Sequence, residues 1–133
     1  MSQRYMLDTT VVSHIMQGRD AALLQKLTTL PVRDTVISSV TLGELEYGWH
    51  RKGKPPRLKN AIDQILLRVE VLPWDESVAR CYGELCTAWE AKGISLSDLD
   101  MMIAAHAVAI DATLVSRDNA FKQVPNRLVL AVW

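Results

Sequence analysis

The sequence of 133 residues is long enough for one domain and too short for two. Hydrophobic residues make up 49% and charged residues 23%, which supplies one sizeable core and excludes an intrinsically disordered chain. Lys plus Arg and Asp plus Glu both number 15, so a polyanion-binding site would have to come from a local patch of charge. We therefore expect residues 1–133 to form a single domain.

The hydrophobic pattern of the first half predicts strands that alternate with helices. In chain order, these elements are a strand at 5–7, a helix that begins at 11–16 and is broken by Gly18, a helix at 21–30 followed by Pro31, a strand at 35–38, and a helix capped by Ser39 or Thr41 that carries Glu44.

The second half continues the alternation after an irregular stretch at 50–59 that contains Gly53, Pro55 and Pro56. It predicts a helix at 58–67, a strand at 69–72, a helix at 75–92 ended by Gly93, a helix at 97–110, a strand at 113–116 and a fifth strand at 128–132. Strands that alternate with helices are typical of an α/β fold with a parallel sheet and helices on both faces.

The chain shows no sign of export or membrane insertion. No segment approaches the roughly twenty apolar residues that a membrane span needs, and no signal peptide precedes Asp8. Cys81 and Cys86 fall in one predicted helix, five positions apart, where a mutual disulfide is geometrically implausible. We expect reduced thiols and a cytoplasmic protein.

Acidic residues in four segments can meet at one edge of the predicted sheet. Ligands of such sheets bind beyond the carboxyl ends of the strands, and two of the acids follow directly after strands. A cluster of carboxylates is unfavourable unless a cation neutralises it, and Mg²⁺ or Mn²⁺ is the natural partner of all-oxygen ligands. The acids are Asp8, Glu44 with Glu46 nearby, Asp98 with Asp100, and Asp118.

Each of these acids also fits a purely structural role. Asp8 and Asp118 can cap the helical turns that follow them. Glu44 and Glu46 can be solvated residues of a helix. Asp98 and Asp100 lie in the first turn of a helix, where negative charge is favoured by the helix dipole.

Four motifs, in order, span nearly the whole chain. They are Met6-Leu7-Asp8-Thr9-Thr10-Val11-Val12, the segment from Ile37 to Gly48 that contains Gly43-Glu44-Leu45-Glu46, Asp100-Met101-Met102-Ile103-Ala104-Ala105-His106-Ala107, and Thr113-Leu114-Val115-Ser116-Arg117-Asp118 followed by Phe121. Together they resemble the motifs of the PIN-domain superfamily, and in particular the VapC-type toxins of type II toxin–antitoxin systems.

The resemblance implies a three-layer α/β/α fold, a Mg²⁺ or Mn²⁺ cofactor and an endoribonuclease. Such an enzyme halts translation by cleaving tRNA or another structured RNA, leaving a 5′-phosphate and a 3′-hydroxyl. It also implies a small VapB-like antitoxin as partner, and a homodimer. Carried over motif by motif, it assigns catalysis to Asp8, Glu44, Asp100 and Asp118, and metal binding to Asp8, Asp100 and Asp118.

The chain departs from the family pattern at two places. Thr10 replaces the usual Asn two residues after the first Asp, and Ser95-Leu96-Ser97-Asp98 replaces a Gly-Pro turn. Asp98 and Asp100 face directions roughly 200° apart on a helix, so we assign Asp100 to the metal and Asp98 to the helix start. We expect Thr9, Asp98 and Ser116 to lie around the ligands.

A basic run beside the Glu44 helix supplies candidate RNA contacts at Arg51, Lys52 and Lys54, with a solvated loop as the alternative. Two other functions compete. A phosphotransfer enzyme or receiver domain is disfavoured, because Thr10 stands where a second Asp is needed and no strand-end Lys is evident. A metal-free PIN-like module that binds RNA or protein is disfavoured by the four matched acids.

Overall fold

The computed structural model describes residues 3–124 and 127–133, in which strands and helices alternate. The strands are β1 (Tyr5–Leu7), β2 (Thr35–Ser38), β3 (Glu70–Leu72), β4 (Thr113–Val115) and β5 (Leu130–Ala131). The α-helices are α1 (Thr9–Gln17), α2 (Ala21–Thr29), α3 (Ser39–Arg51), α4 (Pro56–Leu66), α5 (Glu76–Ala91) and α6 (Asp98–Ala109). Short 3-10 helices lie at Val32–Asp34 and Asn119–Gln123.

The strands form one parallel sheet in the order β3-β2-β1-β4-β5, as the alternating pattern predicted. Strand β1 is central, β2 and β3 lie on one side of it, and β4 and β5 lie on the other side. The carboxyl ends of β1 and β4 therefore flank the point where the strand order reverses. In open parallel sheets, ligands bind at this point.

Successive strand residues point to opposite faces of the sheet and fill two separate cores. Met6 packs into one core with residues of α5 and α6, and Leu7 packs into the other with residues of α1, α2 and α4. The neighbouring strands repeat this division, with Val36 and Leu114 in the first core and Ile37 and Val115 in the second. The expected α/β/α layering is confirmed.

The start of α3 differs from the prediction. Its N-cap is Ser38, the last residue of β2, whose Oγ accepts a hydrogen bond from the Val40 amide at 3.1 Å. The prediction of Ser39 or Thr41 as the cap is wrong, because the strand passes directly into the helix without a loop. Ser38 keeps the extended conformation that an N-cap residue requires.

The predicted irregular stretch at 50–59 is also too long. Helix α3 continues to Arg51, and α4 already begins at Pro56. A proline fits the first turn of a helix, where its missing N–H has no partner to lose. The reversal needs only a few residues, because Gly53 and Lys54 adopt positive φ angles of 83° and 60°.

The last strand is shorter than predicted. We expected 128–132, and the structure pairs only Leu130 and Ala131 with β4, opposite Leu114 and Val115. The pairing is limited because β4 itself has three residues. The hydrophobic pattern of a strand does not show how many residues of the neighbouring strand can pair with it.

Helix α5 carries both cysteines, Cys81 and Cys86, and both are free thiols. Within the described ranges, no helix is both long enough and apolar enough to cross a membrane.

Candidate active site

Asp8 sits at the carboxyl end of the central strand and is only 4% exposed. Its amide donates to the Val115 carbonyl of β4 at 3.1 Å, which fixes the residue between the two strands. Its Oδ1 accepts from the Val11 amide at 2.8 Å and so caps α1. The capping role foreseen for Asp8 is therefore present, and it holds the carboxylate rigidly at the edge of the sheet.

Asp118 lies at the neighbouring strand end, where Ser116 links it to Asp8. The Asp118 amide donates to Ser116 Oγ at 3.0 Å, and the Ser116 hydroxyl hydrogen-bonds the Asp8 carboxylate. Asp118 Oδ1 caps the following 3-10 helix through the Ala120 amide at 2.9 Å. The buried serine thus contacts both residues, and its predicted place around metal ligands stays a prediction.

Asp100 joins these two carboxylates from the first turn of α6. Its amide donates to Ser97 Oγ at 3.2 Å, which caps the helix. Burial raises the pKa of Asp100, and the charge of Asp118 raises it further. Burial likewise raises the pKa of Asp8, with the charges of Asp100 and Asp118 adding to the effect. The three carboxylates therefore lie within electrostatic reach of one another.

Asp98 faces away from this cluster. It is exposed, and its charge acts on Tyr82 of α5, whose pKa is raised first by a hydrogen bond to Cys86, then by burial, with Asp98 a smaller contributor. The charges that raise the pKa values of Asp8 and Asp100 do not include Asp98. The assignment of Asp100 to the metal and of Asp98 to the helix start stays a prediction.

Glu44 is connected to the carboxylate group by a hydrogen bond from Thr9. The Thr9 hydroxyl donates to Glu44 Oε1 at 2.6 Å and lies 3.2 Å from Thr41 Oγ1, so the residue after Asp8 holds the glutamate. Glu44 is not among the charges that shift the pKa of Asp8. The structure therefore groups Asp8, Asp100 and Asp118 and places Glu44 on the adjoining wall. Glu46 lies 3.9 Å from Lys59 of α4 instead.

The donor set fits a hard divalent cation. The three grouped side chains offer carboxylate oxygens, and their mutual repulsion is the condition that a cation relieves. Among the described residues, however, no three acidic, histidine or cysteine side chains converge closely enough to form a complete protein ligand set. The binding of a divalent cation by these three residues therefore stays a prediction.

The side chains of the basic run lie in different environments. The run comprises Arg51, Lys52, Lys54, Arg57 and Lys59. Lys54 Nζ lies 5.9 Å from the centre of the Trp49 ring, and Lys59 lies 5.3 Å from the same ring. Arg51 and Lys52 are exposed at the end of α3. Their roles as RNA contacts stay predictions, and Lys54 has a structural partner that its position in the sequence did not reveal.

The contacts of three residues near the site were not predicted from the sequence. Thr41 is fully buried beneath Thr9, and His106 Nδ1 lies 2.8 Å from Ser38 Oγ at the start of α3. Arg117 forms a 2.7 Å salt bridge with Asp20 and donates to the Trp133 carbonyl at 3.0 Å. Of these residues, only Arg117 could have been suspected from the sequence, because it directly precedes Asp118. The others depend on elements that are distant in the sequence.

The raised pKa values predict how the stability of the metal-free protein changes with pH. An unfolded aspartate has a pKa of about 3.9, so above that pH the unfolded chain releases protons that folded Asp8 and Asp100 retain. The free energy of unfolding should therefore fall as the pH rises from about 4 through the raised pKa values of these residues.

Urea unfolding in chelator across this pH range tests the sign. The difference between the wild type and an Asp8→Asn/Asp100→Asn double variant isolates the two carboxyls from other groups, including buried His106, whose pKa is lowered by burial. The variant should lose the decline. A wild-type stability that rises relative to the variant over this range would refute the assignment.

Comparison with known proteins identifies the family. The PIN domain model matches residues 5–127. The chain is 35% identical to Ribonuclease VapC2 of Rickettsia felis over 131 residues, which is 97% of each protein. It is 31% identical to the tRNA(fMet)-specific endonuclease VapC of Shigella flexneri over 87% of each protein.

Solved structures agree with this similarity. The crystal structure of VapBC2 from Rickettsia felis, bound to a DNA fragment from their promoter, contains a chain that matches with a TM-score of 0.89 and 32% identity. The match covers 98% of this chain and 99% of that one. The chain therefore belongs to the PIN-domain family and, within it, to the VapC ribonucleases, the toxin components of VapBC toxin–antitoxin systems.

Proposed function

We propose that this chain is a Mg²⁺-dependent endoribonuclease that cleaves tRNA in the cytoplasm and is inhibited by a VapB-type antitoxin. The observation that carries the proposal is the group of three carboxylates at the switch point between β1 and β4. The tRNA substrate is suggested by the name of the Shigella flexneri relative, and the antitoxin by the VapBC complexes among the similar structures.

The proposed roles follow from how each side chain is held. Asp8, Asp100 and Asp118 would bind the cation, and the helix caps that Asp8 and Asp118 form keep their carboxylates in place. When bound, such a cation lowers the pKa of a water and stabilises the charge that develops on the phosphoryl oxygens.

Glu44 is the candidate base. The Thr9 hydroxyl donates to Oε1, which leaves Oε2 to accept a proton from the attacking water. Because Thr9 directly follows Asp8, this contact ties the position of the base to that of the proposed metal ligand. Ser116 supports the pair from the other strand by bonding the Asp8 carboxylate.

Cleavage of a tRNA mixture tests the proposal. Protein freed of any co-purifying antitoxin should cut tRNA in Mg²⁺ or Mn²⁺ and stop when EDTA is added, because the carboxylates alone cannot stabilise an anionic transition state. Products are followed on denaturing gels, with heat-inactivated protein as the control. Undiminished cutting in EDTA would rule out the mechanism, and inactivity in every metal would favour a metal-free binding module.

A further inference from the structure

A groove of about 450 Å³ opens at the C-terminal end of α1, the helix whose N-terminus is capped by Asp8. It lies between the end of α1, the loop that leads to α2, the turn after α3 and the start of α4. Met16 and Leu58 contribute apolar surface, and Arg19, Lys52 and Arg57 bring three cationic side chains from three different segments. No acidic residue is among the described residues that line it.

The three cations are available to a ligand. All three residues are exposed, and in the part of the chain that the structure describes none of them forms a salt bridge. Lys59 is different, since it lies 3.4 Å from Asp63 as well as near Glu46 and Trp49. Only some members of the basic run therefore contribute to the groove, and Arg19, which lies far from the run in sequence, completes the set.

The groove borders a second cavity at the end of α1. A second cavity of about 270 Å³ shares Gln17 and Arg19 with it and is lined by Arg117, the residue before Asp118. The Arg117 guanidinium is fixed there by Asp20. Helix α1 runs from Thr9 to Gln17, so Gln17 lies about 12 Å along the helix from Thr9, which follows Asp8.

We propose that Arg19, Lys52 and Arg57 form a subsite that binds backbone phosphates of the RNA away from the bond that is cut. The inference rests on the proposed ribonuclease function and adds the location of its substrate. Guanidinium groups recognise phosphate oxygens in a two-pronged geometry, and an ammonium group adds a point charge.

RNA is favoured over a protein occupant for two reasons. The lining is cationic without a compensating acid, as a polyanion requires. The adjoining cavity adds a further cation, Arg117, which directly precedes Asp118 in the sequence. Such contacts position the RNA without reading its sequence, so the subsite contributes affinity and register rather than base specificity.

The test compares two variants that each lose three positive charges. Arg19→Gln/Lys52→Gln/Arg57→Gln removes the subsite, and Lys26→Gln/Arg33→Gln/Lys92→Gln removes three exposed cations that do not line the groove. Binding of labelled tRNA is measured by fluorescence anisotropy in EDTA, where no cleavage is expected, between about 50 and about 200 mM salt. Circular dichroism checks that both variants are folded.

The subsite variant should bind tRNA at least about tenfold more weakly, and its log–log salt slope should be smaller by about two to three units. The control should stay within about twofold of the wild type and keep its slope. In Mg²⁺, the subsite variant should show a raised KM for tRNA with kcat nearly unchanged, because the cation-binding acids are intact.

Equal affinities and slopes for the two variants would overturn the proposal. So would normal RNA binding by a subsite variant that no longer co-purifies with its co-expressed antitoxin, since the groove would then belong to the protein partner. If the wild type binds tRNA but cleaves none in any metal, the proposed function fails, and the binding comparison still decides the subsite.

Discussion

Asp100→Asn should reduce RNA cleavage by about a thousandfold or more without unfolding the protein. The change removes one carboxylate from the group that is proposed to hold the cation, and a loss of about 4 kcal/mol of transition-state stabilisation corresponds to that factor. Asparagine keeps the shape of the side chain, and the amide of this residue can still donate to Ser97. Initial rates on tRNA in Mg²⁺ measure the effect, and circular dichroism checks the fold.

Asp98→Asn is the matched control, two residues away on the same helix. It should keep most of the activity and cost at most about 1 kcal/mol of stability, since it removes only a favourable charge from the first turn of α6. Its side chain is exposed, outside the carboxylate group. If Asp98→Asn inactivates the enzyme and Asp100→Asn does not, the assignment of the two acids is reversed.

Asp8→Asn should stabilise the metal-free protein while it destroys activity. The Asp8 carboxylate is 4% exposed, and burial raises its pKa, so ionisation at neutral pH costs folding free energy. Asparagine removes that charge and can still accept the capping bond from Val11. A gain in the free energy of unfolding is expected, because a carboxyl whose pKa is raised by folding destabilises the folded state once it is ionised.

Thermal unfolding in EDTA at neutral pH checks this prediction. The variant should have a higher Tm than the wild type. Ser116→Ala is a useful comparison, because it removes a hydrogen bond to the Asp8 carboxylate and leaves the charge in place, so it should destabilise. A Tm for Asp8→Asn several degrees below that of the wild type would show that the buried charge supports the fold.

The layered fold could be predicted because its signals are local. Met6 and Leu7 are adjacent apolar residues that serve two different cores, which is typical of a parallel strand buried on both faces. The boundaries near Pro56 could not be predicted in the same way. The segment Gly53-Lys54-Pro55-Pro56 resembles a loop, and only the packed structure shows that its second proline starts a helix.

Some features of the candidate site could likewise be predicted from the sequence, and others could not. Asp8 and Asp118 could be proposed as neighbours because both follow strands of a parallel sheet, and Asp100 could be separated from Asp98 by helical geometry. The hydrogen bond from Thr9 to Glu44 could not be predicted from the sequence, because the two residues lie on different helices. The contribution of Arg19 to the basic groove was hidden for the same reason, since it lies more than thirty positions before Lys52.

Direct titration with Mn²⁺ is the measurement closest to the central claim that these carboxylates bind the catalytic cation. Electron paramagnetic resonance follows the loss of the free Mn²⁺ signal as protein is added. The wild type and Asp98→Asn should bind Mn²⁺ with similar affinity, and Asp8→Asn and Asp100→Asn should bind it at least about tenfold more weakly, because each lacks a proposed ligand. Equal binding by all four proteins, or none by the wild type, would contradict the account.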